Sequence, residues 1–181
     1  MRKALMHKAI DYFARRYDYD ASYMHAMLDT SPRGFRKFSK VTKLANHSES
    51  VEAVPLYAAK LAGALAEDCG PCTQLVADMA REAGVAADQI EAVLRGDPRA
   101  MADDVALAWR FARAVLAASP ELDNLREAVR QRWGDKGVVD LTFALQGSRI
   151  FPMVKIGLGY AKECRQVIVE GRPIPIARPA A

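Results

Sequence analysis

A chain of 181 residues, 51% hydrophobic and 27% charged, can bury a core of its own, so one domain is expected. No apolar run approaches the ~20 residues that cross a bilayer. Met1-Arg2-Lys3 is followed by His7, Lys8 and Asp11 rather than by a continuous apolar stretch, so a soluble, cytoplasmic protein with no export signal and no membrane partner is expected.

The net charge of +4 is spread along the chain. Its one denser patch, Arg33, Arg36, Lys37, Lys40 and Lys43, would splay around a helix that also carries Phe35 and Phe38. That reads as a solvated face rather than a nucleic-acid site.

In chain order, Leu5, Met6, Ala9, Ile10 and Phe13 predict an amphipathic helix over Arg2 to Arg16, closed by Tyr17-Asp18-Tyr19-Asp20. Asp20 can cap a short second helix through Tyr23, Met24, Met27 and Leu28. Ser31-Pro32 repeats the start signal, with proline at the first helical position. A third helix is expected to run to about Asn46, with Phe35, Phe38, Val41 and Leu44 or Ala45 facing inward. Asn46-His47-Ser48-Glu49-Ser50 is a polar connector. From Val51 or Pro55 a helix apolar around its whole circumference predicts a core element.

Glu67-Asp68-Cys69-Gly70-Pro71-Cys72 interrupts that run. Helical periodicity resumes from Thr73 to Ala83, and Gly84 supplies a stop. Asp88 to Leu94 and Met101 to Ala118 predict two more helices, and Ser119-Pro120 starts another through Leu122, Leu125 and Val129. Gly134 and Gly137 frame a turn. A last long helix follows from Val138 or Asp140 towards Val167, bent near Gly147 or Pro152. Val167-Ile168-Val169 has no evident strand partner and reads as a helix end or extended segment. Gly171-Arg172-Pro173-Ile174-Pro175-Ile176, with Pro179 beyond, reads as an extended tail. The expected class is all-α, a multi-helix bundle.

Chemistry concentrates at Cys69 and Cys72. Two cysteines two residues apart at a helix start can close a small disulfide with little backbone movement, and the free amides and helix dipole there favour the thiolate. Gly70 tolerates the turn into the helix and Pro71 is pre-set for its first turn. Glu67 and Asp68 could raise the thiol pKa by repulsion or pass a proton through water. A zinc site would need four ligands, and His47 and Cys164 lie far off in sequence. Two cysteines merely packed in a core are the plainer alternative. Cys164 stands alone and reads as a small buried residue of the last helix. A thioredoxin-like site shares the Gly-Pro insert but needs flanking strands where helical periodicity lies.

The string Ala62-Gly63-Ala64-Leu65-Ala66-Glu67-Asp68-Cys69-Gly70-Pro71-Cys72, followed by Ala80-Arg81-Glu82-Ala83-Gly84-Val85, Asp88-Gln89-Ile90 and Trp109-Arg110-Phe111-Ala112, resembles the alkylhydroperoxidase D-like/carboxymuconolactone decarboxylase superfamily. The resemblance covers about Pro55 to Tyr160. It divides the chain into an N-terminal helical extension (1–50), the helical domain (51–170) and an extended tail (171–181).

The resemblance implies a homo-oligomer in which Cys72 attacks a peroxide and Cys69 resolves the sulfenic acid as a disulfide, with no metal and no cofactor. Its substrate would be a small hydroperoxide or a protein disulfide or thiol partner. Active peroxidases of this type also carry a histidine four residues after the second cysteine and a glutamate about twelve before the first. Val76 and Tyr57 stand there instead. The expected function is therefore a thiol oxidoreductase of peroxidase or disulfide-reductase type with an incomplete proton relay. The alternative is a non-redox lyase, isomerase or binding protein on the same scaffold. His7, His25 and His47 lie outside the resemblance, and Tyr57 could donate a hydrogen bond in place of the glutamate or simply pack in the core. The first fifty residues could form a partner or oligomer surface.

Overall fold

A computed structural model of the chain describes residues 2–160 and 166–175. These are mostly helical: α1 (Arg2–Arg16), α2 (Ser22–Thr30), α3 (Pro32–Phe38), α4 (Val41–Ala45), α5 (Ala53–Ala66), α6 (Gly70–Glu82), α7 (Ala87–Arg95), α8 (Asp103–Ala117) and α9 (Leu122–Gly157), then β1 (Gln166–Val169) and β2 (Arg172–Pro175). Among the described residues no helix is long and apolar enough to cross a membrane.

The hub is α5, buried from Pro55 to Leu65 apart from the half-buried Tyr57. The alanines Ala58, Ala59, Ala62 and Ala64 let α6, α8 and α9 pack closely around it. Phe111 of α8, Leu94 of α7 and Leu141 and Leu145 of α9 fill the space between the helices. Each such side chain contributes roughly 1.5–3 kcal/mol by leaving water. Gly147 of α9 sits where α4 crosses, and a Cβ there would fall 2.7 Å from the Cα of Ala45.

The connector between α4 and α5 is fastened by one buried carboxylate. Asp140 Oδ2 accepts from the amides of Glu49 (2.9 Å), Ser50 (2.8 Å) and Val51 (3.1 Å). Burial alone would push this carboxyl's pKa up, but those amides and the Ser50 hydroxyl hold it below its ordinary value.

Five expectations are corrected. Asp20 stands one residue too early to cap α2: Ala21 holds the N-cap position, and Asp20 Oδ1 accepts instead from the Ser22 amide at 3.1 Å. The third helix is two, α3 and α4, broken at Ser39-Lys40, while Ser31 caps α3 by accepting from the Gly34 amide at 3.1 Å. In the last long helix the backbone leaves helical geometry at Gly134 (φ 73°, ψ −175°), whereas Gly137, Gly147 and Pro152 lie within helix, and α9 ends at Gly157. Val167-Ile168-Val169 does have a strand partner: β1 pairs antiparallel with β2, Val167 opposite Ile174 and Ile168 opposite Pro173.

Glu170 (φ 49°) and Gly171 (φ 74°) make the tight turn of this hairpin, and two positive φ angles match the right-handed twist of the strands. Val167, Val169 and Ile174 are buried in the main core. Gln74 of α6 pins the hairpin, accepting from the Ile168 amide at 2.6 Å and donating to its carbonyl at 3.0 Å. Arg172–Pro175 is therefore part of the packed fold and not of an extended tail; residues 176–181 lie outside the described residues.

Candidate active site

Cys69 is the N-cap residue of α6, with extended backbone (φ −107°, ψ 91°), and Gly70-Pro71 forms the first turn. Cys72 therefore stands one turn along, directly above it. The two sulfurs lie 2.7 Å apart, in direct contact, and both cysteines are free and buried. The Cys72 thiol, by hydrogen bonding to the charged form of Cys69, lowers the Cys69 pKa to about 7 against the opposing effect of burial; the Cys72 amide and the charge of Lys155 add to the lowering. Cys72 is pushed up, by its bond to Cys69 and by burial. Physically, the pair gives up one proton near neutrality and keeps the other.

The remaining walls come from the N-terminal helices and α9. Tyr19, in the link between α1 and α2, places its hydroxyl 3.5 Å from Cys72 Sγ. Burial, then the neighbouring Tyr23 and Cys72, push the Tyr19 pKa far up, so this hydroxyl stays protonated and can donate to a thiolate on Cys72. Tyr23 is fully buried, and its hydroxyl has no hydrogen-bond partner among the described residues. Lys155 of α9 is also fully buried. Its ammonium lies 4.6 Å from the Tyr19 ring centre and 5.7 Å from that of Tyr23, and it donates to the Asp20 carbonyl at 3.3 Å. A cation on aromatic faces is attracted by their negative π-density, and here it adds positive potential beside both sulfurs.

Between α1–α4 and the core lies a cavity of about 400 Å³, its surface mostly apolar, with Ser39, Thr42, Asn46, Lys60 and Ser148 also lining it, and reached by Cys72 but not by Cys69. Tyr57 and Val76 both line it. Tyr57 makes no hydrogen bond to either thiol among the described residues; its ring centre lies 4.3 Å from the ammonium of Lys60. Burial draws the Lys60 pKa down to about 8, which leaves most of it protonated at neutrality.

The other sequence candidates fall elsewhere. Glu67 is paired with Arg149 at 2.5 Å, and Asp68, exposed at a positive φ of 46°, opposes the Cys69 thiolate only by its charge. His7 and His25 stack on each other with ring centres 5.0 Å apart and contact Asp29 and Asp11. His47 faces Glu49 and Asp140. Cys164 lies outside the described residues. Among the described residues no three His, Cys, Asp or Glu side chains converge as metal ligands. The basic patch from Arg33 to Lys43 is exposed at all five charged positions.

Sequence reasoning missed Tyr19, Tyr23, Lys60 and Lys155. The available signal was the Tyr17-Asp18-Tyr19-Asp20 run, where Asp18 adopts a positive φ of 45° and turns the chain so that Tyr19 points back to the thiols. No family model, curated protein or solved structure matches this chain.

Proposed function

We propose that the chain is a thiol oxidoreductase of the alkylhydroperoxidase D-like type, cycling Cys69 and Cys72 between dithiol and disulfide. The observation that carries this reading is the contact of two buried sulfurs at a helix start, one of them acidified and the other under a tyrosine hydroxyl. The negative charge rests on Cys69, and transfer of the Cys72 proton to it across the touching sulfurs moves the charge to Cys72. On Cys69 it is favoured by the first-turn amide, and on Cys72, which faces the cavity, by the Tyr19 hydroxyl. Tyr19 and Lys155 would stabilise the thiolate, although neither accepts the proton that the relay's histidine and glutamate would take.

With a hydroperoxide as oxidant, the Cys72 thiolate attacks the terminal oxygen and the O–O bond breaks. The alcohol leaves with a proton and Cys72 becomes a sulfenic acid. Cys69 then displaces water to form the disulfide. Two thiols and one hydroperoxide give one disulfide, one alcohol and one water, and an external dithiol returns two electrons and two protons. A homo-oligomer and a reducing cytoplasmic setting belong to the same reading.

Mass spectrometry of the full chain after hydroperoxide treatment tests it. The expected product is an intramolecular Cys69–Cys72 disulfide, lost in Cys69→Ser and Cys72→Ser together with turnover. Two free thiols and no peroxide consumption would sink the reading. An activity that survives replacement of both cysteines would favour the non-redox alternative.

A further inference from the structure

Lys60 is the one charged residue of α5, a helix otherwise built for the core, and it is only 5% exposed. Its ammonium donates to Asn46 Oδ1 at 2.7 Å and lies over the Tyr57 ring. An ammonium has three donors, and among the described residues no carboxylate pairs with this one. Buried charges are ordinarily paired, because desolvation is otherwise uncompensated. Lys60 is the one charged residue lining a cavity whose exposed surface is mostly apolar, with Phe13, Met24, Phe35 and Leu75 among its walls and Ser39, Thr42, Asn46 and Ser148 as its small polar residues. The volume, about 400 Å³, lies in the range of small-molecule sites.

We propose that this cavity binds a small amphipathic monocarboxylate, its carboxylate on the Lys60 ammonium and its apolar body along the aromatic and methionine walls. One cation suits one negative charge; a phosphate dianion would call for further cationic donors, and neither an arginine nor a second lysine lines the cavity. A neutral ligand would leave the ammonium as it is. The ligand would share the cavity that Cys72 faces, but its binding requires neither thiol.

Decanoate and the neutral decanol are suitable probes, titrated into the full chain by calorimetry. Decanoate should bind saturably at one per chain. Lys60→Met and Lys60→Gln should weaken decanoate at least about tenfold, as expected for loss of a charge-assisted contact, and leave decanol unchanged. In the unmutated chain the Lys60 side-chain NMR signal should move with decanoate and not with decanol, a readout that needs no folded variant. Absence of saturable decanoate binding, an unmoved Lys60 signal, or variants that bind decanoate as the parent does would each overturn the proposal. The double Cys69→Ser, Cys72→Ser chain should still bind decanoate, so failure here and failure of the thiol reading are separable.

Discussion

The two hydrophobic clusters of the molecule are built from different materials. The larger, around α5, α8 and α9 with the hairpin, is made of alanine and branched aliphatic side chains with a few aromatics. The smaller joins Ile10, Tyr19, Tyr23 and Leu28 to both thiols, with methionines and phenylalanines packed against it. Rings of Phe13, Tyr19, Tyr23, Phe38 and Phe151 meet edge to face along it, and it leaves the cavity unfilled. Frame and chemistry are therefore separated: the close-packed cluster holds the helices, and the looser one covers the sulfurs.

Substitutions should split along that line. The largest effect is expected for Phe111→Ala or Leu141→Ala, at about 3–5 kcal/mol of stability by denaturant unfolding, because a tightly packed site collapses little around the void. Phe13→Ala, beside a cavity that already exists, should cost about 1–2 kcal/mol. Equal costs at the two sites would break the comparison.

Next in size is Lys155→Met. Removing the positive charge disfavours the thiolate, so the midpoint of alkylation against pH should rise by about one unit. In the parent chain that rate should climb with pH, since thiolate is the reactive form, and be half-maximal near 7 rather than near the ordinary ~8.5. One thiol should react there and not two, because Cys72 is pushed up. Iodoacetamide kinetics with peptide mapping would decide it, and an unshifted midpoint in Lys155→Met would remove the lysine from the site. The smallest effect is expected for Tyr19→Phe, which keeps the ring and loses the hydroxyl. Peroxide reactivity should fall by about threefold to tenfold with stability changed by about 1 kcal/mol or less; unchanged reactivity would leave Tyr19 as packing alone.

Much of the frame was legible because its signals are local. The apolar stripe of α1 gave its span, and Ser31-Pro32 marked the start of α3. Gly84 and Gly96, both at positive φ, end α6 and α7 where glycine punctuation indicates. The hairpin was hidden by its composition: Pro173 and Pro175 argue against a strand, and Glu170-Gly171 is a weak turn signal. Both prolines are admissible because β2 pairs on one side only. The break at Ser39-Lys40 has neither glycine nor proline to announce it. Cys69 and Cys72 were readable from their spacing, whereas Tyr19 and Lys155 reach them from far along the chain in either direction, which no local pattern records.

The short distance between Cys69 and Cys72 also bears on damage. A sulfenic acid on either sulfur would form in contact with the other thiol, and disulfide closure would need no loop to move. A second oxidant would have to enter the covered cavity before that closure to make the sulfinic acid, from which a cysteine does not ordinarily return. The covering helices would thus keep the pair on the reversible side of its oxidation, while limiting how large an oxidant can reach it.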